Sequence, residues 1–399
     1  CMRDVSHQAI GALALGLAEH TRNMMHKFAR GIAESRDWCS YWEINRHNKP
    51  APVDYRSDED FWYNLPANFD VIQAAYRAYE WTGDADYLEH PDFDAFYRHS
   101  LTDYVATWDD DGDGLLESPA ENGTRGLATY WEGGGPRALT GADLVAAQYA
   151  ASLAYSRVLT VRGQPQEAEP FAREADRLRR LFNDEWWDDG LGRFYTSIIQ
   201  DGSFDTTYIP AMQIFPMYFG IVEPPRTDRL LQELKPGVNV EENSYLAEIF
   251  YRHGRHEAAF DHLLAQMDPA LPRREYPENP FTAVGGVVRF LAGVNPIASE
   301  ALIETRPRLP ERVTWLRLEG VPVLQNQIAV HHDGNAQTRL ANESGSALRW
   351  RAVFPGSHRW LLVDGARFEA RVRDAGSGQS ETFVTIDLGP GQSRTVKVE

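Results

Sequence analysis

The hydrophobic pattern of this chain changes near residue 306, and this change constrains the fold more than any other feature. Before it, apolar residues recur at helical spacing, as Ile10, Leu13 and Leu17 do in the first segment. Long loops alternate with short turns between the helical segments, and strand patterns are almost absent. This favours a closed ring of helical hairpins whose long loops gather at one mouth. The pattern predicts helices near residues 6–17, 21–32, 66–81, 93–108, 141–159, 165–182, 209–219, 226–234, 243–252, 256–267 and 281–292.

After residue 306, apolar residues alternate with polar or β-branched residues over short runs. Turn residues such as Asp333-Gly334 and Gly389-Pro390-Gly391 separate these runs. The sequence therefore predicts a mainly α protein, with a helical domain over residues 1–305 and a small antiparallel β-sandwich domain over residues 306–399. Because the chain opens at Cys1, inside what looks like a folded element, we expect upstream sequence to be missing from the helical domain.

The composition excludes several classes of partner. The formal net charge of -18 argues against nucleic acid and against an anionic membrane surface. No apolar run is long enough to span a bilayer, and no signal peptide is visible, so localisation stays open. Two cysteines, Cys1 and Cys39, are too few for a disulfide framework, although a single bridge is left open. The 11 Trp residues serve a large core or the walls of a concave sugar site.

The strongest local motif runs from Ala128 to Gly135 and reads Ala-Thr-Tyr-Trp-Glu-Gly-Gly-Gly. Glycine allows a backbone to approach a ligand closely. Aromatic walls would desolvate Glu132 and raise its pKa, as a general acid requires. A glycine-rich surface turn with an incidental glutamate is the alternative.

A second motif, residues 273–282, precedes the last long helix and contains two carboxylates, two guanidinium groups and an aromatic ring. Glu278 is placed for a general base that arginine residues keep ionised, and Glu275 is the substitute. Helix capping with a surface ion pair is the alternative interpretation. Together, Glu132 and Glu278 suit glycoside hydrolysis, in which one carboxyl group protonates the leaving oxygen and the other activates water.

Three of these features are similar to a known superfamily. The turn at Trp81-Thr82-Gly83-Asp84, the Tyr130-Trp131-Glu132 segment before an Ala-rich helix, and Pro277-Glu278 resemble the six-hairpin, (α/α)6-barrel glycosidases, which include glucoamylases and α-L-rhamnosidases. The resemblance implies a toroid of helical hairpins, with Glu132 as acid and Glu278 as base. It also implies that Arg3-Asp4 grips the terminal sugar. Rhamnosidases carry an acidic residue after that Asp, whereas this chain has Val5.

Other residues are expected to line the mouth and bind substrate. They come from the first helix, the aromatic loop and the two motifs: Arg3, Asp4, His7, Gln8, Trp38, Asp54, Trp62, Trp131, Arg274, Glu275 and Tyr276. The run Asp109-x-Asp111-x-Asp113-Gly114 matches the first half of an EF-hand loop, but its twelfth position is Ala120. No cofactor is therefore expected, and a structural Ca2+ held by Asp109, Asp111 and Asp113 is the weaker alternative to a plain turn.

The sequence thus predicts an exo-acting, inverting glycoside hydrolase that removes a terminal sugar. A glycoside phosphorylase, with Arg273 and Arg274 binding phosphate, is one alternative. A polysaccharide lyase and a non-catalytic carbohydrate-binding protein are the others. The sequence names neither the sugar nor the oligomeric state.

Overall fold

The computed structural model describes residues 1–133, 135–235, 239–376 and 379–399. Helices dominate up to residue 291 and strands dominate after it, so the prediction of a mainly helical region followed by an antiparallel β-region is confirmed. Closure of the helices into a ring stays a prediction. The α-helices are α1 (Met2–Ala14), α2 (Ala18–Ala29), α3 (Ala67–Thr82), α4 (Asp86–Glu89), α5 (Pro91–Leu101), α6 (Asp103–Trp108), α7 (Ala142–Val161), α8 (Pro165–Glu185), α9 (Ala211–Phe219), α10 (Arg226–Glu233), α11 (Val240–Arg252), α12 (His256–Gln266) and α13 (Glu278–Gly285).

The strands fall into a short early group and a long later group. The early group is β1 (Tyr55–Ser57), β2 (Asp60–Phe61), β3 (Ala138–Gly141), β4 (Trp187–Asp188), β5 (Arg193–Phe194), β6 (Ser197–Ile199) and β7 (Phe204–Asp205). The later group is β8 (Val294–Ile297), β9 (Leu302–Thr305), β10 (Trp315–Val323), β11 (Asn326–Asp333), β12 (Gln337–Ser344), β13 (Leu348–Pro355), β14 (Trp360–Val363), β15 (Ala366–Glu369), β16 (Arg371–Gly376), β17 (Gln379–Leu388) and β18 (Ser393–Val398).

Two helix predictions need correction. The segment predicted as one helix over 93–108 is divided into α5 and α6 at Thr102, whose φ of -125° and ψ of -79° are not helical. The last helix begins at Glu278 rather than at residue 281, directly after Pro277. Proline is favoured at helix starts because its fixed φ suits the helix and its missing N–H leaves no donor unsatisfied. Glu278 therefore lies in the first turn of α13.

The chain divides into two compact units. Within the described residues, the first contains 1–7, 19–76 and 85–235, and the second contains 8–18, 77–84 and 239–399. In the first unit α7 and α8 pack together, and α7 is buried along most of its length. Cys1 and Cys39 are both free thiols.

The second unit holds α11 to α13 together with two sheets. Their strand orders are β10-β11-β12-β18-β14-β15 and β16-β17-β13-β9-β8. Strand β11 shows the predicted alternation, with Ile328 and Val330 buried and Gln327 exposed between Asn326 and Ile328. Strands β8 and β9 precede residue 306 and join the second sheet, β9 lying parallel to β13. The domain boundary at 306 stays a prediction from the sequence pattern.

Within the second unit, α1 and α13 approach each other through their backbones. A Cβ atom on Gly11 would lie 1.8 Å from the carbonyl oxygen of Phe281. A Cβ atom on Gly285, in the facing helix, would find its nearest neighbour at 3.4 Å, an ordinary contact. Glycine at position 11 is therefore required by packing, whereas glycine at position 285 is not.

Gly11→Ala should lower the free energy of unfolding by about 1–3 kcal/mol or more, because the added methyl group must push the two helices apart. Helix propensity alone would predict the opposite sign, a gain of about 1 kcal/mol. Urea unfolding followed by circular dichroism measures the difference. Gly285→Ala is the matched control and should leave stability unchanged or raise it; equal stability of the two variants would contradict the packing described.

Candidate active site

The segment that carries Glu132 is held in place by a buried carboxyl group. Asp143, in the first turn of α7, is fully buried. Its Oδ2 accepts hydrogen bonds from the Tyr130 N–H at 2.6 Å and the Thr129 hydroxyl at 3.1 Å, and its Oδ1 accepts one from the Leu144 N–H at 3.0 Å. Burial raises the pKa of Asp143 to about 7, and these hydrogen bonds oppose the rise. Asp143 thus fixes the backbone two residues before Glu132.

Asp70 of α3 holds the same segment from another side. It is completely buried and accepts a hydrogen bond from the Tyr130 hydroxyl. The His7 Nε2 lies 3.1 Å from the Asp70 Oδ2, and the His7 ring packs 5.2 Å from that of Tyr218. His7 is therefore a buried partner of Asp70 in this structure, and its predicted contact with sugar stays a prediction.

Arg3 and Asp4 lie beside the same tyrosine. The Arg3 guanidinium carbon is 5.1 Å from the centre of the Tyr130 ring, and the Arg3 Nε is 3.8 Å from the Asp4 Oδ1. Their side chains are 11% and 23% exposed, so each is only partly accessible to solvent. The start of α1 and the Glu132 segment are thus brought together in the first unit, and the predicted contact of Arg3 and Asp4 with sugar stays a prediction.

A cavity of about 380 Å³ opens at this segment. Its walls include Trp62 and Trp131, and Glu132 lies on its lining; the remaining described lining residues are Leu127, Ala128, Thr129, Gly133, Gly135, Pro136, Arg137, Ala138, Thr196, Ser197, Asp205, Thr207 and Ile209. Glu132 is exposed and makes no hydrogen bond or ion pair with any described residue. The expectation that aromatic rings desolvate Glu132 is therefore wrong for this structure.

Gly133 is required by the position of the Trp131 indole. A Cβ atom on Gly133 would lie 2.1 Å from the Trp131 Cζ2, so any side chain would displace the ring. Trp131 is 36% exposed and presents a large apolar surface next to the Glu132 carboxyl group. Gly134, from the same glycine run, lies outside the described residues.

Asp54 adds negative charge near Glu132. Burial, together with the hydrogen bond and the charge of Glu43, raises the pKa of Asp54 to about 6, and the charge of Glu132 contributes further. The Trp42 ring, next to Glu43 in sequence, lies 4.8 Å from the Trp62 ring that lines the cavity. Trp62 of the aromatic loop lines the cavity and Asp54 does not, and the predicted contacts of both residues with substrate stay predictions.

Other predicted residues lie elsewhere. Trp38 stacks on His99 at 4.3 Å and is not among the residues that line the cavity. Gln8 belongs to the second unit, as do Arg274, Glu275, Tyr276 and Glu278. Their roles at the site stay predictions.

In the second unit, Glu278 and its neighbour Glu275 differ sharply in burial. Glu278 is 0% exposed in the first turn of α13, whereas Glu275 is exposed. Arg274 and Glu275 line a separate cavity of about 650 Å³ whose other residues are mostly aliphatic. The Tyr276 ring is covered by the Arg273 guanidinium group at 4.8 Å.

The acidic turn at 109–117 is held by its own backbone. The two carboxylate oxygens of Asp109 accept N–H groups of Gly112 and Gly114, and Asp111 accepts that of Asp113. Asp109, Asp111 and Glu117 can each bring one oxygen within 4.8 Å of the others. Glu117 takes the place predicted for Asp113, and a bound Ca2+ stays a prediction.

Part of the chain is similar to a known protein family. Residues 72–241, which include α3 and the Glu132 segment, match the family model of the mannosylglycerate hydrolase MGH1-like glycoside hydrolase domain. This match covers less than half of the chain, so membership of the chain in the six-hairpin glycosidase superfamily stays a prediction. A sequence search among curated proteins finds no match.

Solved structures resemble this chain in fold at low sequence identity. The α-L-rhamnosidase from Streptomyces avermitilis, solved with L-rhamnose, has a TM-score of 0.62 and 15% identity, and the match covers 100% of this chain and 38% of that one. The α-L-rhamnosidase from Dictyoglumus thermophilum has a TM-score of 0.61 and 12% identity, with 100% and 46% covered. The chain thus spans less than half the length of these proteins. Among the described helices, none has the length and apolar character needed to cross a membrane.

Four residues of this candidate site were not predicted: Glu43, Arg137, Asp143 and Asp205. For Glu43 a signal was present, because the tripeptide Tyr-Trp-Glu occurs twice, at 41–43 and at 130–132. Asp143 opens an Ala-rich helix, where an acidic residue is common for reasons of helix polarity alone. No local pattern marks Arg137 or Asp205.

The pKa of Asp54 gives a pH-dependent prediction. A carboxyl group whose pKa is raised from 3.8 to about 6 by folding stabilises the fold fully below pH 3.8, and this contribution is lost as the pH rises through 6. Asp54→Asn stays neutral, so its stability relative to the parent should improve from pH 4 to pH 7. Urea unfolding at both pH values tests this, and an unchanged difference would contradict it.

Asp58, in the same loop, is the control, because its pKa is shifted in the opposite direction to that of Asp54. Hydrogen bonds from Ser35, Tyr55 and Arg36 hold the pKa of Asp58 at about 2. Its stabilising contribution is present above pH 3.8 and is lost only as the pH falls through 2. Asp58→Asn should therefore lower stability by about 1–3 kcal/mol at both pH 4 and pH 7, because it leaves the buried Arg36 without its partner.

Proposed function

We propose that this chain carries the catalytic region of an exo-acting, inverting glycoside hydrolase, with Glu132 as general acid and Glu278 as general base. The observation that carries the proposal is the position of Glu132. Glu132 lines a cavity whose walls include Trp62 and Trp131. Its carboxyl group makes no hydrogen bond or ion pair with any described residue. A carboxyl group left available beside two indole rings is what protonation of a sugar oxygen needs.

In the proposed reaction, Glu132 gives its proton to the glycosidic oxygen as the bond to the anomeric carbon breaks. Positive charge then develops on the sugar ring, and water attacks the opposite face as the base removes its proton. The carboxyl group of Asp54, which interacts with Glu43 and with the charge of Glu132, places negative potential on this side. That potential favours the cationic transition state.

Glu278 is proposed as the base because of its position in α13. A carboxylate in the first turn of a helix is stabilised by the exposed N–H groups of that turn. Its complete burial would keep it from bulk solvent unless the site opens to admit one water. Glu275, exposed and three residues earlier, is the alternative base.

The proposal includes closure of the helical hairpins into an (α/α)6 toroid. A closed ring with a crowded mouth favours a pocket that accepts the end of a sugar chain, and this is the reason for proposing exo action. The substrate is a carbohydrate in this proposal. Because the matching family model is named for mannosylglycerate hydrolase, mannosylglycerate is one of the compounds to be tested.

Glu132→Gln should lower kcat on a natural glycoside by about 100-fold or more, because glutamine cannot donate a proton to the leaving oxygen. The parent is first screened against aryl α- and β-glycosides, aryl uronides and mannosylglycerate. The variant is then compared on an unactivated substrate, since a good aryl leaving group needs little help from an acid. Glu121→Gln, an exposed carboxyl change outside the cavity lining, is the matched control.

The outcomes separate the alternatives. Full activity of Glu132→Gln on the unactivated substrate would contradict the acid role. Release of sugar phosphate only when phosphate is present would identify a phosphorylase. An unsaturated product absorbing in the ultraviolet would identify a lyase. Saturable binding without turnover by the parent would identify a carbohydrate-binding protein.

A further inference from the structure

The cavity has a second carboxyl group, Asp205, which lies on the small sheet β3-β6-β7. Asp205 is the register partner of Ser197, and Ser197 is the partner of Gly141. Directly opposite residues in a sheet have their side chains on the same face. Gly141, Ser197 and Asp205 therefore form one row across the three strands. Gly141 leaves the space through which the Ala128 backbone passes, since a Cβ atom there would lie 2.5 Å from the Ala128 carbonyl oxygen.

The orientation of the Asp205 side chain is fixed by the turn that follows it. Its Oδ1 accepts a hydrogen bond from the Thr207 N–H at 2.9 Å, and its carbonyl oxygen accepts one from the Thr196 N–H at 3.1 Å. No described residue donates to its Oδ2, and no described cation forms an ion pair with it. Asp205 is half-buried and lines the cavity, and its Oδ2 is left available to accept hydrogen bonds from a ligand.

The opposite kind of group lies on the same cavity. The Arg137 Nη2 donates to the Ser118 hydroxyl at 3.0 Å and to the Gly123 carbonyl oxygen at 2.9 Å. Arg137 is thus rigidly placed, and no described carboxylate neutralises it. An ionised carboxylate only accepts hydrogen bonds and a guanidinium only donates them. Together with the indole walls, they complement a sugar ring, whose hydroxyl groups both donate and accept.

We propose that Asp205 is a specificity-determining residue that accepts hydrogen bonds from hydroxyl groups of the sugar in this cavity. The proposal rests on the proposed function only in taking the cavity as a sugar site. Asp205 transfers no proton in it; its carboxylate selects sugars whose hydroxyl groups are oriented toward the β7 wall. A hydrogen bond to a charged acceptor typically changes binding by about 10- to 100-fold.

The chain provides a matched control two residues past β6. Asp201 makes the same local turn, since its Oδ1 accepts hydrogen bonds from the Ser203 N–H at 3.0 Å and the Ser203 hydroxyl at 2.6 Å. Asp201 is exposed and is not among the residues that line the cavity. Asp201→Asn therefore reproduces the chemical change of Asp205→Asn in the same hairpin, away from the cavity.

The test measures binding in the Glu132→Gln background by calorimetry, with D-glucose, D-mannose and L-rhamnose as probes. Asp205→Asn should raise the Kd of the sugar that binds by about 10- to 100-fold, whereas Asp201→Asn should leave that Kd unchanged. Asp205→Ser is the second variant, because a serine hydroxyl can still accept the Thr207 N–H and so preserve the turn. It should show the same loss as Asp205→Asn.

Monodeoxy forms of the sugar that binds identify the hydroxyl group. For the form that lacks the contacted hydroxyl, the parent and Asp205→Ser should bind equally. The same factor lost for every deoxy form would mean that Asp205 only shapes the cavity, which overturns the proposal. Unchanged binding in both Asp205 variants, or no binding of any probe to the parent, would overturn it as well. Binding without turnover in the Glu132-intact protein would refute the hydrolase while leaving this test of Asp205 in force.

Discussion

The buried carboxyl group of Asp143 is the interaction on which the candidate site depends. It accepts the N–H of Tyr130 and the hydroxyl of Thr129, and so fixes the chain just before Trp131 and Glu132. Burying a carboxyl group is unfavourable unless hydrogen bonds satisfy its oxygens, and here both oxygens are satisfied. A loop that ends in glycine thereby acquires a defined backbone up to Glu132, the proposed general acid.

The site divides into a rigid wall and a more open loop. Asp205 and Ser197 lie on paired strands, and the Asp205 side chain is held by the Thr207 N–H. Trp131 and Glu132, by contrast, are exposed and are followed by glycine. Recognition of sugar hydroxyl groups needs fixed acceptors, whereas proton donation needs a carboxyl group that can adjust to the leaving oxygen. The half-buried Asp205 and the exposed Glu132 fit these two requirements.

Sequence patterns predicted the long elements well because their periodicity extends over many residues. The helix predicted over 165–182 is α8, and the strand predicted over 360–363 is β14. The sheet β3-β6-β7 was not predicted, because its strands have two to four residues, too few to show alternation. Asp205 was not predicted either, because only strand pairing brings this residue beside Ser197 and onto the cavity.

Glu132 could be predicted because the residues that matter to it are adjacent in sequence, but its environment could not. The Tyr130 side chain is buried and its hydroxyl group donates to Asp70, whereas Trp131 is 36% exposed. The motif therefore supplies one aromatic ring to the fold and one to the cavity, rather than two walls around the carboxyl group. Asp54, from another loop, interacts electrostatically with Glu132, a contact between distant parts of the sequence that no local motif could predict.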